Sequence, residues 1–232
     1  MFFSPWLAKL KRPRMCGRFS LHTSPRVIQQ VFKLDSLPDI TPRYNIAPST
    51  PILAIRKKEG KNDAALLRWG LVPHWAKEQK SGYSLINARA ETLCSKPAFR
   101  ESFKKRRCLI PADGFYEWES VDGKKTPWYI TLPDLPLFAF AGLWDSWRSP
   151  EQSVESCTII VTEACETLRP IHPRMPAILA PADYERWLQP TAGEEEKDLC
   201  LLTPWPGEIR LRRVSPAVNK PTVEGEGLIR EV

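Results

Sequence analysis

Short apolar and β-branched runs, each closed off by Pro, Gly, Asp or Ser, recur along most of the chain and carry the strand signal. PILAIRK (51–57), TPWYITL (126–132), LFAFAGLW (137–144) and SCTIIVT (156–162) are the clearest of them. TPWYITL and LFAFAGLW are separated only by PDLP and are expected to pair as a hairpin, and Asp122-Gly123 marks a turn. Helical spacing appears in four places. VIQQVFKL (27–34) repeats its apolar residues at the helical period, and SKPAFRESFKKRR (95–107) sets Phe99 and Phe103 at i,i+4 between Ser95-Lys96-Pro97 and four closing bases. ADYERWL (182–188) follows Pro181, and EEEKDLCLL (194–202) is the fourth helix. The 23 prolines are scattered, so elements should be short, and no regular strand–helix alternation is visible. The pattern predicts one α+β domain with a mainly antiparallel, barrel-like sheet and surrounding helices.

Composition narrows the partners. A chain of 232 residues with 42% hydrophobic residues buries a real core, and a net charge of +7 with a pI near 9.1 suits a polyanion such as nucleic acid. The cysteines at 16, 94, 108, 157, 165 and 200 form no C-x-x-C pair and the histidines at 22, 74 and 172 lie far apart. Neither a metal site nor a cofactor is therefore expected, and the thiols are expected to be reduced. Residues 1–14, MFFSPWLAKLKRPR, place apolar before basic residues, the reverse of a secretory signal, and no run reaches membrane length. They are expected to be a disordered or untranslated extension to a folded unit of residues 15–232. The protein is expected to be soluble, cytoplasmic and monomeric, with no membrane partner.

The chemistry centres on Cys16. If Cys16 becomes the first residue, an α-amine with a reference pKa of about 7.7 to 8.0 stands beside a thiol. That pair condenses with an aldehyde to an imine and then to a five-membered thiazolidine. A buried structural cysteine is the competing reading. GFYEW (114–118) places Glu117 on the face of Phe115, where aromatic surroundings raise a carboxyl pKa toward acid catalysis; an ion-paired strand glutamate is the alternative. IHPRMP (171–176) holds His172 between rigid neighbours, as a proton-transfer group or a turn histidine. INARAET (86–92) puts Asn87, Arg89 and Glu91 on one face if extended, for a polar network or ligand. WGLVPHWAK (69–77) and YNIAPS (44–49), with Arg18, Arg43, Arg89, Arg100 and the bases at 104–107, combine rings with cations as single-stranded DNA sites do.

In order, MCGRF, RYNIAPS, WGLVPHWA, INARAET, FR, CLIPADGFYEW and IHPRMP, closing at VSPAVN, resemble the SOS response-associated peptidase (SRAP) family over the chain from Met15. The resemblance implies an α+β domain around a barrel-like sheet, and covalent capture of abasic sites in single-stranded DNA as a thiazolidine cross-link. Autopeptidase and lyase activities are further expectations. It implies Cys16 as nucleophile, Asn87 orienting amine and sugar, Glu117 shuttling protons, and His172 serving the imine step and reversal. Arg18, Asn45, Arg89 and Arg100 would position phosphates or hold the pocket, and Pro48 and Trp75 would contact bases beside the lesion. Two departures stand out. Ala76 occupies a position where some relatives carry a second tryptophan, and fourteen residues precede Met15, so Cys16 is reactive only if translation starts at Met15 or the chain is cut before Cys16. A self-processing thiol peptidase and a non-covalent single-strand binder are the alternative functions.

Overall fold

The computed structural model describes residues 16–79 and 85–232. The expectation for residues 1–14 lies outside them. Among the described residues the chain runs β1 (Phe19–Leu21), α1 (Pro25–Phe32), β2 (Arg43–Ile46), β3 (Pro51–Lys58), β4 (Lys61–Trp69), β5 (Asn87–Arg89), α2 (Pro97–Lys105), β6 (Arg107–Ala112), β7 (Gly114–Val121) and β8 (Lys124–Thr131). It continues β9 (Phe138–Arg148), β10 (Ser153–Glu163), β11 (Arg174–Pro176), β12 (Ile178–Leu179), α3 (Tyr184–Leu188), α4 (Glu195–Leu199) and β13 (Arg210–Arg213). Each strand expected from the apolar runs is present, and α1, α2 and α3 fall where helical spacing placed them. The fourth helix is a single short turn, shorter than its sequence pattern.

Two sheets share one core. The pairings β10–β4, β4–β3, β3–β6, β6–β9 and β9–β10 form a closed circuit, a five-strand barrel, while β13-β8-β7-β1-β2 forms an open antiparallel sheet beside it. The tight hairpins β3–β4 and β7–β8 turn through Glu59-Gly60 and Asp122-Gly123, all four at positive φ, the two-residue geometry that follows strand twist. Phe19 of β1 joins the layers. Its ring meets Trp69 of β4 edge-on at 5.3 Å and Phe140 of β9 at 5.7 Å, and Phe115 of β7 meets the same Phe140 at 6.0 Å.

Four expectations are corrected. TPWYITL and LFAFAGLW do not form a hairpin, because β8 pairs with β7 and β13 while β9 pairs with β6, β10 and β12. Pro133 and Pro136 fix φ and lack N–H groups, so the PDLP link carries the chain from one sheet to the other. Of the bases at 104–107, Arg107 is not open to a phosphate: it is fully buried at the start of β6, its Nη1 2.7 Å from Asp198 and its guanidinium over the rings of Phe103 and Trp187, while Lys104 and Lys105 are exposed. Glu91 leaves the strand face of Asn87 and Arg89, since β5 ends at Arg89 and a 3-10 turn carries Glu91 to an ion pair with Arg174. Arg43, too, spends its guanidinium on the Pro51 carbonyl and the Thr50 hydroxyl.

Gly114 sits where β1 and β7 meet, and a Cβ there would fall well inside van der Waals contact of the Tyr129 ring. Tyr129 is buried and fixed by a 2.8 Å hydroxyl contact to Ser20, so the ring has no room to retreat. Gly114→Ala is expected to lower unfolding free energy by about 1–3 kcal/mol, measured by denaturant titration.

Candidate active site

Strand pairing brings the site together. Phe19 pairs with Phe115 and Ser20 with Gly114, and the Tyr116 amide donates to the Arg18 carbonyl at 3.0 Å. Continued backwards, that antiparallel register sets Gly17 opposite Glu117, one residue from Cys16. The Cys16 nitrogen donates to Glu117 Oε1 at 2.8 Å. From a strand of the other sheet, Asn87 Nδ2 donates to the Cys16 carbonyl at 3.3 Å. Glu117 and Cys16 are 2% and 0% exposed.

Burial dominates the electrostatics. It raises the Glu117 pKa to about 8 against the hydrogen bonds from Cys16 and Trp118 amides and the charge of Lys125, so this carboxyl is largely protonated at neutral pH. Burial also lifts the Cys16 thiol well above its ordinary value, with the Glu117 charge adding to the effect and a hydrogen bond from the Arg18 amide opposing it. The thiol is thus a protonated group, not a standing thiolate.

His172 lies on the segment that leads into β11. Val161 of β10 pairs with Arg89 of β5 and with Pro176 of β11, so those strands flank β10 at the same level. His172, two residues before β11, is 6% exposed, and burial lowers its pKa, leaving it neutral. Its Nδ1 lies 3.2 Å from the Arg174 amide and 3.1 Å from the Arg174 carbonyl; Nε2 is buried with no partner among the described residues.

The remaining expected residues divide by exposure. Asn45 is 1% exposed: its Nδ2 donates to the carbonyls of Val218, Lys220 and Val223, and its Oδ1 accepts from Arg18 Nη1 at 2.6 Å. Arg18 also donates to the Val218 and Asn219 carbonyls, so both residues fasten the 216–223 segment behind Cys16. Pro48 is half-buried in a turn whose Ser49 amide donates to the Trp69 carbonyl at 2.8 Å. Trp75 and Arg89 are exposed. Arg100 is exposed on α2, which packs on β6 and β9. Sequence reading missed Asp145, a buried carboxylate that receives the His74 amide and ring; its only local signal was a lone acid in the apolar run LWDSW.

The class is a five-strand barrel flanked by an open sheet, with the buried Cys16 nitrogen donating to the buried Glu117 carboxyl. The chain belongs to the SOS response associated peptidase (SRAP) family, whose description matches residues 15–221. It is 44% identical over 221 residues to the abasic site processing protein YoqW of Bacillus subtilis, covering 93% of this chain and 99% of that protein. It is 31% identical to the abasic site processing protein HMCES of Mus musculus, covering 88% and 72%. A crystal structure from Bacteroides thetaiotaomicron shares the fold with a TM-score of 0.83 at 24% identity, covering 94% of this chain and all of that one. A Bordetella bronchiseptica structure reaches 0.75 at 26% identity, covering 86% of this chain. Among the described residues no helix is long and apolar enough to cross a membrane, and no group of three or more His, Cys, Asp and Glu side chains is placed to hold a metal.

Proposed function

We propose that the protein processes abasic sites in single-stranded DNA by capturing the ring-opened sugar aldehyde on Cys16 as a thiazolidine. The observation that carries this reading is the Cys16 nitrogen 2.8 Å from a buried, protonatable Glu117. With Cys16 as first residue, that nitrogen is an amine. Burial disfavours an ammonium–carboxylate pair, so the amine stays neutral beside a protonated carboxyl. The amine attacks the aldehyde carbon; Glu117 gives its proton to the carbinol oxygen, and water leaves as the imine forms. The thiol then adds to the imine carbon and its proton passes to the nitrogen. The sum is protein plus aldehyde giving thiazolidine plus one water.

Ring closure matters for the strand. An open imine permits β-elimination of the neighbouring phosphate, the lyase outcome, and the thiol removes that imine. Asn87 steadies the Cys16 backbone and orients amine and sugar, and His172 Nε2 donates or receives a proton in imine formation and reversal. Arg18 and Asn45 hold the pocket wall through the 216–223 segment, Arg89 and Arg100 attract phosphates, and Pro48 and Trp75 meet bases beside the lesion. The folded unit of this reading is residues 15–232, acting as a monomer.

The same bond supports a second activity at the same site. In the intact chain the Cys16 nitrogen is the leaving nitrogen of the Met15–Cys16 peptide, and protonated Glu117 beside it is an acid for that departure. Thiol attack on the Met15 carbonyl gives a thioester and a free amine, and water then releases residues 1–15. The test is an intact mass, before and after incubation with a single strand carrying one abasic site. A species starting at Cys16 that gains the DNA mass less one water is expected; a Cys16-start protein that stays unmodified would sink the capture reading.

A further inference from the structure

The segment after β4 carries side chains that the capture chemistry does not use. Residues 71–76 are pinned at three points: the Val72 amide donates to Ser156 Oγ at 2.8 Å, the His74 amide to Asp145 Oδ2 at 3.0 Å, and Trp147 Nε1 to the Ala76 carbonyl at 2.7 Å. These bonds fix a corner from which Trp75 stands 56% exposed. Asp145, only 3% exposed, also receives the His74 ring, Nδ1 to Oδ2 at 3.0 Å, and is ion-paired with Arg106, whose Nε lies 3.1 Å from Oδ1.

A buried carboxylate on one imidazole nitrogen keeps a proton there and sets the ring's direction, as it does for ligand-binding histidines. The His74 side chain is 47% exposed, which leaves Nε2 as its outward nitrogen. Arg106 Nη2 lies 3.5 Å from His74 Nδ1, so two cationic groups converge on one carboxylate. Protonated, the corner carries one net positive charge beside an exposed indole. The loop is already held by the His74 amide, Ser156 and Trp147, so its fold does not need the ring. The place is suitable as well: Asp145 pairs with Ser156 and Asn87 with Ile159, three residues apart on β10, about 10 Å.

We propose that His74, with Arg106 beside it and Asp145 as the positioning residue, binds a backbone phosphate of the single strand next to the base that rests on Trp75. This deepens the capture reading and rests on it for the identity of the strand. The test avoids the aldehyde. Binding of the full chain to a single strand bearing a tetrahydrofuran abasic analogue is followed by fluorescence anisotropy. His74→Ala is expected to weaken binding about fivefold and to reduce the dependence of log affinity on log salt by about 0.7. Phosphates flanking the analogue are then replaced one at a time by methylphosphonate. One position should weaken the wild-type protein while leaving His74→Ala unaffected, and Asp145→Asn should lose the same coupling at that position. Equal losses at every position, no loss at any, or failure of the wild-type protein to bind overturns the proposal. A coupled phosphate together with a Cys16-start protein that forms no adduct on an aldehyde-bearing strand would sink the capture reading alone.

Discussion

Cys16→Ser, in a chain that begins at residue 16, is expected to form no stable adduct with abasic single-stranded DNA yet to be trapped on it by borohydride. The amine survives the substitution, so the aldehyde still condenses to an imine, which hydride reduces to a secondary amine. Ring closure does not survive, because a serine hydroxyl is a far poorer nucleophile toward the imine carbon than a thiol. The cysteine protein should give its adduct without reductant, driven by a thiol held at an effective molarity of about 10⁵ M or more. Without reductant, the serine protein should fall to background, a loss of about 100-fold or more on a denaturing gel. A chain retaining Met15 should give no reductant-free thiazolidine adduct, since the Cys16 nitrogen is then an amide. Equal reductant-free adduct from the serine and cysteine proteins would show that another nucleophile does the work, and the thiazolidine would have to be abandoned.

Local pattern carries the strands of this fold well and its closure poorly. PILAIRK and SCTIIVT are legible because apolar β-branched runs between turn residues have few other uses. The barrel is not legible, because β10 closes it by pairing with β9, β4, β5 and β11, and those partners are scattered through the chain. The supposed hairpin across PDLP failed for the same reason: proximity in sequence outweighed the missing amides of two prolines. At the candidate site, MCGRF and GFYEW carry the Cys16 nitrogen and the Glu117 carboxyl, but the bond between them spans 101 positions and depends on the β1–β7 register. The roles of Arg18 and Asn45 were open between touching phosphate and holding the pocket. Their donors go to carbonyls of residues 218–223, bonds that depend on where the C-terminal segment folds back.

Glu117→Gln tests the same site through a different observable, the pH dependence of stability in the full chain. The carboxyl's pKa is about 8 when folded and near the ordinary 4.5 when unfolded. Below about pH 4.5 both states hold the proton and the group costs nothing. As pH rises from there toward 8, the unfolded chain ionises freely while the folded one keeps its proton, so stability drains away. The loss is complete above the folded pKa. A shift of this size corresponds to on the order of 5 kcal/mol. Glutamine fills the same space and accepts the same hydrogen bond from Cys16 without titrating. The difference in unfolding free energy between the two proteins is therefore expected to move in favour of Glu117→Gln by about that amount from pH 4.5 to 8, measured by denaturant titration at several pH values. A constant difference would mean that Glu117 is not protonated where it lies, and the acid step assigned to it would lose its basis. With a free Cys16 amine, the same substitution should slow imine formation about 100-fold or more, because only the wild-type side chain has a proton to give the departing water.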